Sequence, residues 1–268
     1  MQELKIRPAA VAGSFYPDDK KELEIMINTF LSKAKEVKTK RNLRALIVPH
    51  AGYVYSGPVA ATGYRLLATQ EKRFEKIILI GPSHYAAFSG MAGPGTDFWE
   101  TPIGRIKTES IVKKMETGNR KLITELPQVH APEHCLEVQI PFIQVIFKHD
   151  VVIYPLITGE VNTKEIAGVL ERNIDDKTIV IVSSDLSHYL TYEKAQRIDG
   201  LANKSIPALD TDTMEESGDA CGKTGIMILM HIAKSKKWKA ELLDYRNSGD
   251  TAGSKDRVVG YGCYAFFE

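Results

Sequence analysis

Three of the seven histidines in this 268-residue sequence closely follow short apolar runs. They are His50, His84 and His188, which come after the apolar runs 45–48, 77–80 and 179–182. Continuous apolar runs without polar alternation are typical of strands buried on both faces of a parallel sheet. Such sheets bind ligands beyond the carboxyl ends of their strands. Loop packing would explain any one of these histidines, but three at equivalent strand ends predict imidazoles that converge on one crevice.

His50 and His84 are the best candidates for a pair of metal ligands. Imidazole binds zinc, copper and iron alike, so this pair leaves the identity of the metal open. Ser83 directly precedes the second histidine, and its hydroxyl could orient an imidazole ring from outside the ligand set.

Cys221 is the third candidate ligand. Asp219 would cap a helix that begins just after it, which places the thiol in the first helical turn. There the helix dipole lowers the thiol pKa and favours the thiolate, the form that binds metals. The alternative is a small buried apolar side chain, which is how most free cysteines behave.

Two further pairs of polar residues are spaced three apart. Asp185 lies just past a strand end, and in a helical turn its carboxylate would orient His188, making that imidazole a candidate general base. Asp185 would equally serve as the cap of the following helix. His134 and Glu137 would share one helix face, where they would either support the metal ligands by hydrogen bonds or form an ordinary surface pair.

The composition excludes several classes of protein. Hydrophobic residues make up 43% of the chain and charged residues 26%, which is ordinary for a soluble globular protein. A net charge of +1 gives no overall field toward nucleic acid or an anionic membrane. No apolar run approaches the roughly 20 residues that span a bilayer, and three cysteines without paired spacing argue against a disulfide framework. Without an apolar N-terminal signal region, a cytoplasmic protein is expected.

The remaining pattern predicts one α/β domain over residues 1–268, with a mostly parallel or mixed central sheet flanked by helices. Apolar stripes at helical spacing and acidic or proline-containing first turns indicate the helices. Their predicted starts are Asp18, Ser56, Ser110, Asn162, Tyr192 and Asp219, and the third of them ends near Gly118. Further strands are predicted over about 151–157, 240–245 and 258–267. We found no repeat or linker that would divide the chain.

Six short stretches together resemble the Memo family, also called the AmmeMemoRadiSam system protein B group. They occur in a fixed order across nearly the whole chain, and their combination carries the resemblance. They are 12–16 (AGSFY), 49–57 (PHAGYVYSG), 81–84 (GPSH), 133–141 (EHCLEVQIP), 183–188 (SSDLSH) and 221–222 (CG).

The resemblance implies a fold similar to the catalytic subunit of class III extradiol dioxygenases. Those enzymes hold non-haem iron by two histidines and a carboxylate. In Memo-like proteins the corresponding ligands are two histidines and a cysteine, which fall here on His50, His84 and Cys221. The position of the dioxygenase base falls on His188.

The resemblance also implies partners. Animal members are described as metal-binding redox proteins and effectors of cell motility that bind a phosphotyrosine peptide of a receptor. Phe15 stands where those proteins carry tryptophan, and Tyr55 matches an aromatic position of the same groove. The microbial group name implies a pathway link to a radical-SAM protein.

Three functions are compatible with these residues. The first is a metal-dependent oxidoreductase of undefined substrate that uses iron or copper, with zinc also compatible; a thiolate in place of the carboxylate softens the ligand set, so extradiol cleavage is not implied. The second is a non-catalytic module that holds a phosphopeptide or another anionic ligand in the crevice. The third is a metal-assisted hydrolase in which His188 activates a water molecule.

Overall fold

Strands and helices alternate along most of the chain, which a computed structural model describes for residues 3–111 and 122–268. The strands are β1 (Ile6–Arg7), β2 (Leu43–Val48), β3 (Lys76–Pro82), β4 (Met91–Gly93), β5 (Phe98–Thr101), β6 (Gly104–Thr108), β7 (Ile123–Glu125), β8 (Val152–Thr158), β9 (Thr178–Ser183), β10 (His188–Leu190), β11 (Lys239–Asn247) and β12 (Val258–Phe267). The helices are α1 (Lys20–Lys33), α2 (Tyr53–Ala68), α3 (Pro127–His130), α4 (Ile140–Ile146), α5 (Thr163–Glu171), α6 (Tyr192–Ala208), α7 (Thr211–Ser217), α8 (Lys223–Lys236) and α9 (Ser248–Thr251).

The described strands form one mixed sheet in which the three histidine-bearing strand ends are neighbours. The order along the main path is β1-β5-β6-β8-β3-β9-β2-β12-β10. At the centre, β3, β9 and β2 are parallel to one another, whereas β12 runs antiparallel to β2. The loops that follow β3, β9 and β2 therefore leave the same edge of the sheet. This arrangement confirms the predicted α/β fold with a mixed sheet between helices.

Successive residues of the central strands face two different hydrophobic cores. In β9, Ile179 and Ile181 belong to the core that also contains residues of α1, α2 and α4, whereas Val180 and Val182 belong to the core that contains residues of α5, α6, α7 and α8. All four side chains are fully buried. This burial on both faces explains why the runs are continuously apolar, because neither face of a central strand meets water.

Two helix starts differ from the sequence predictions. Helix α2 begins at Tyr53 rather than after Ser56, because the Tyr53 N–H donates to the carbonyl of Phe15 (2.8 Å) and the Ser56 hydroxyl donates back to the carbonyl of Ala51 (2.7 Å). Pro58 consequently lies inside the helix. The cap of α8 is Gly222 rather than Asp219, so the cysteine before it precedes the helix.

Other helix predictions agree closely with the structure. Asp19 caps α1 by accepting hydrogen bonds from two backbone N–H groups, Asn162 caps α5, and α6 begins at Tyr192. The helix predicted from about Ser110 to Gly118 lies almost entirely outside the described residues. Within residues 3–111 and 122–268, no helix combines the length and the apolar character that crossing a bilayer requires.

Shortening a side chain in the centre of β9 should destabilise the whole fold. We expect Ile181→Ala to lower the free energy of unfolding by about 2–5 kcal/mol, because it leaves a cavity between the sheet and α2. Ile181→Val removes only one methylene and should cost about 0.5–1.5 kcal/mol. Urea denaturation would measure both values. An alanine variant as stable as the wild type would contradict the burial of this strand on both faces.

Candidate functional site

Three imidazoles meet at the carboxyl edge of the central strands. His50 follows β2, His84 follows β3, and His134 lies in the loop between α3 and the 3-10 turn Glu137–Gln139. One ligand nitrogen from each ring lies within 4.8 Å of the other two. The ring centroid of His50 lies 5.2 Å from that of His84 and 5.4 Å from that of His134. The rings of His84 and His134 stack with their centroids 4.7 Å apart. We call these three side chains the histidine cluster.

The ring of His50 is oriented by the hydroxyl of Ser183. Nδ1 lies 3.0 Å from this hydroxyl, whose own proton is donated to the carbonyl of Cys135 at 2.6 Å. The hydroxyl oxygen also accepts a hydrogen bond from the Gln139 amide at 2.8 Å. Since the hydroxyl proton is already committed, Nδ1 of His50 must donate. This fixes the tautomer and leaves a lone pair on Nε2.

The ring of His84 is oriented by the buried carboxylate of Glu133. Oε1 accepts from Nδ1 of His84 at 2.9 Å, and Oε2 accepts from the backbone N–H of the same residue at 2.7 Å. Burial alone would raise the pKa of Glu133, but these hydrogen bonds and one from the Cys135 N–H lower it to about 2. The carboxylate therefore stays ionised and can only accept hydrogen bonds. Nδ1 of His84 carries the ring proton, and Nε2 has a lone pair that can bind a metal ion.

His134 completes the cluster from the opposite side. Its Nδ1 lies 3.2 Å from Oε1 of Glu133, but the ring is not aligned for a hydrogen bond, so this buried nitrogen has no partner. Phe15 packs against the ring with a centroid distance of 4.7 Å. Phe15, which the resemblance places in a ligand groove, therefore lies against a member of the cluster.

The thiol of Cys221 touches the cluster at His50. Its Sγ lies 3.2 Å from Nε2 of that imidazole and accepts a hydrogen bond from the backbone N–H of Asp185 at 3.3 Å. Burial, with the negative charge of Asp185, raises the pKa of the thiol to about 12. The predicted lowering of this pKa by the helix dipole is wrong, because Cys221 lies before α8 and is desolvated.

Asp185 supports the loop of His50 and not the ring of His188. Its carboxylate accepts the backbone N–H of His50 at 2.7 Å and also bonds the N–H of Ala51. Burial raises its pKa to about 7. Both expectations for this carboxylate are wrong, because α6 is preceded by Thr191 as its cap. The turn after β9 is not helical, so the spacing of three carries no shared face.

His188 begins β10, which pairs with β12 at the margin of the sheet. Burial lowers its pKa below the usual value, and the charge of Asp219 opposes this effect. The charge of His84 also lowers the pKa of His188, and the charge of His188 in turn lowers the pKa of His50. His188 thus interacts electrostatically with the histidine cluster but is not a member of it, and His134 takes the third place that was predicted for His188.

Two other predicted residues, Ser83 and Glu137, have different roles from those expected. Ser83 donates to the carbonyl of Ala86 at 2.6 Å and so stabilises its own turn rather than an imidazole. Glu137 is fully buried and binds the N-terminal segment, including Arg7, so it forms neither a surface pair nor a side-chain hydrogen bond with His134. Tyr55 is 40% exposed in the first turn of α2, and its place in a ligand groove stays a prediction.

Sequence reasoning missed Ser183 and Glu133 as the residues that orient the rings, and it gave His134 only a supporting role. Both orienting residues lie inside quoted motifs, but no spacing rule links Ser183 to His50 across 133 residues. A signal was present for Glu133, because a carboxylate beside a histidine in an apolar stretch needs a buried partner.

Most of the imidazoles at this site are neutral at pH 7. Burial lowers the pKa of His50 and His134, as it does for His188. A neutral imidazole with one committed nitrogen presents a lone pair on the other, which is the form that binds a metal ion. The cluster of histidines with an adjacent cysteine could therefore hold a metal ion.

Comparison with known proteins finds relatives along nearly the whole chain. A sequence model described as "Memo-like protein" matches residues 7–265. Proteins described as "MEMO1 family protein" are similar over almost their full length. The chain is 34% identical to one from Desulfurococcus amylolyticus (98% of this chain, 100% of the relative), 36% identical to one from Ignicoccus hospitalis (98% and 99%), and 36% identical to one from Saccharolobus islandicus (95% and 97%).

The buried Glu133 should make stability depend on pH in the acid range. A carboxylate with a pKa of about 2 in the folded state, against 4.5 when unfolded, stabilises the protein above pH 4.5, and this contribution is lost as the pH falls toward 2. Between pH 5 and pH 3 the wild type should lose about 2 kcal/mol more than Glu133→Gln. Urea denaturation of the metal-free proteins would measure this difference.

Glu216→Gln serves as the matched control, because Glu216 is exposed on α7. This variant should follow the wild type at every pH. If Glu133→Gln also followed the wild type, the carboxylate would not be held in its ionised form by His84.

Proposed function

The chain belongs to the Memo-like protein family, and from this premise we propose that it binds a metal ion at the histidine cluster and acts as an oxidoreductase. One observation carries the proposal. In His50 and His84, Nδ1 donates its proton to an acceptor outside the cluster, so Nε2 is unprotonated and has a lone pair for a metal ion. Packing alone does not require two neighbouring imidazoles to be oriented with an unprotonated nitrogen each, whereas binding of a metal ion does.

The donor set supports iron or copper, with zinc also compatible. Imidazole nitrogens bind all three metals, and a nearby thiolate adds affinity for copper(I) and zinc. Cys221 lies 3.2 Å from Nε2 of His50, so small side-chain movements bring both atoms to one ion. Metal binding would displace the thiol proton, because a thiol with a raised pKa binds as the thiolate only when a cation compensates its charge.

A bound ion would supply redox or Lewis-acid chemistry. The chain's own residues would accept a proton from the substrate, exclude water and line the approach to the site. His188 is neutral and interacts electrostatically with His84, and in this proposal it takes a proton from a bound small molecule. Phe15 covers one side of His134 and keeps water from it. Tyr85 and Tyr189 follow two of the histidines directly, are 61% and 65% exposed, and each contacts the ring of the preceding histidine. In this proposal they line the approach of a small-molecule substrate.

The alternative of an anion-binding module receives less support. Neutral imidazoles do not attract a phosphopeptide at pH 7, and the pKa of His50, His134 and His188 is lowered. Phosphate binding through a metal ion would remain compatible with the site. A metal-assisted hydrolase uses the same donors, and the assay of oxygen consumption below separates it from an oxidoreductase.

Metal titration tests the binding proposal directly. We expect the protein, purified without metal, to bind one equivalent of iron(II), copper(I) or cobalt(II) used as a probe. His84→Ala should weaken binding by at least about 100-fold, because it removes a ligand and not only a supporting group. His231→Ala is the matched control, since His231 lies on α8 outside the histidine cluster. Equal affinity of the His84→Ala variant and the wild type would overturn the proposal.

Oxygen consumption tests the catalytic part. The iron- or copper-loaded protein should consume oxygen with a panel of small organic reductants, and His188→Gln should lower kcat by about 10²–10⁴-fold while the metal content is unchanged. The ionisation of His188 should also disappear from the pH profile of kcat in this variant. Oxygen consumption no faster than that of free metal would reject an oxidoreductase, and hydrolysis of model esters by the same sample would favour the hydrolase.

A further inference from the structure

The guanidinium of Arg7 is a buried hub beneath the loop that carries His134. Only 4% of its side chain is exposed. Nε donates to the carbonyl of His130 at 2.8 Å, and Nη2 donates to the carbonyl of Glu133 at 2.6 Å. The face of the guanidinium lies 4.3 Å from the ring centroid of Trp99. Arg7 thus binds backbone carbonyls at both ends of residues 130–133, the segment directly before His134.

The carboxylate of Glu137 performs the reciprocal task. Oε2 accepts from Nη1 of Arg7 at 2.6 Å and from the N–H of Ala10 at 2.8 Å. Oε1 accepts from the N–H of Val11 at 3.0 Å and from the hydroxyl of Tyr16 at 2.7 Å. Glu137 therefore fastens residues 7–16, which we call the N-terminal strap, to the start of the 3-10 turn.

The strap reaches the histidine cluster at one residue. Phe15 packs on the ring of His134, and its carbonyl accepts the N–H of Tyr53 at 2.8 Å, three residues after His50. The loop of His134 is therefore held from two sides, by Arg7 through its backbone and by Phe15 through its ring. Glu133, whose carbonyl is bound by Arg7, is also the residue that orients His84.

We propose that the buried Arg7–Glu137 pair positions the metal site, in that it sets where Glu133 and His134 stand relative to the other two imidazoles. This inference rests on the metal binding proposed above. Neither residue is a ligand, so both act through the loop and the strap. The geometry favours a positioning role because Arg7 and Glu137 also bind backbone groups of the loop and the strap. An ion pair that only stabilised the fold would not need these additional contacts next to site residues.

Three variants and a matched control separate positioning from stability. Glu137→Gln keeps the shape but loses the charge, Arg7→Lys loses the forked contacts to two carbonyls, and Tyr16→Phe removes a single hydrogen bond and should fold readily. Arg44→Gln is the control, because Arg44 is 5% exposed, paired with Asp176, and located at the end of β2 remote from His50.

Two measurements are made on each variant at a temperature where circular dichroism shows it to be folded. The first is cobalt(II) titration, in which Glu137→Gln and Arg7→Lys should bind about 10–100-fold more weakly, Tyr16→Phe should bind more weakly by a smaller factor, and Arg44→Gln should match the wild type. The second is the rate of diethylpyrocarbonate modification of His134 in metal-free protein, followed by peptide mass spectrometry. This rate should rise as Phe15 leaves the ring, while that of His231 stays constant.

The paired readouts distinguish the two proposals. Wild-type affinity and an unchanged His134 rate in both Glu137→Gln and Arg7→Lys would overturn the positioning role while metal binding stands. Failure of the wild type to bind cobalt(II), with a raised His134 rate in these variants, would overturn the metal site and retain only control of His134 by the strap. Equal losses in Arg44→Gln would assign the effects to general destabilisation and reject the inference.

Discussion

The site depends on where the imidazole N–H groups go. An imidazole can present a lone pair to a crevice only if its proton is accepted elsewhere, and here two acceptors are built for that purpose. The hydroxyl of Ser183 can accept from His50 because its own proton is already donated to the carbonyl of Cys135. The carboxylate of Glu133 can accept from His84 because hydrogen bonds keep it ionised despite its burial. A change at either acceptor would free the ring and allow it to turn its N–H into the crevice.

These acceptors are placed by different parts of the fold. Ser183 ends β9, which lies between the strands that precede the two histidines, so the sheet register itself brings this hydroxyl to His50. Glu133 has no strand to hold it and depends on a loop. The Arg7–Glu137 pair fixes that loop from below, at the considerable desolvation cost of two buried charges. The hydrogen bonds of both side chains offset this cost and fasten an irregular segment to the N-terminal strap.

The sequence was informative about the strands and poor about loop contacts. Apolar runs before His50, His84 and His188 located the central strands because burial on both faces leaves a pattern that needs no tertiary information. The helix starts predicted at Asp18 and Asn162 lie at or next to the observed caps, Asp19 and Asn162, because the signals for a helix start are local. In contrast, spacing suggested that Asp185 and Glu137 serve His188 and His134, and both bind backbone groups far away in the chain. The thiol pKa of Cys221 was predicted in the wrong direction because desolvation depends on the packing around it.

The central claim is that His50 and His84 both carry their proton on Nδ1 and leave Nε2 free. Long-range nitrogen–proton correlation spectra of the metal-free protein at pH 7 measure this directly, because the two ring nitrogens differ strongly in chemical shift when only one is protonated. The account predicts an Nδ1–H tautomer for both rings and a displacement of both Nε2 resonances when a metal ion is added. A proton on Nε2 in either ring, or unchanged Nε2 resonances with metal present, would contradict it.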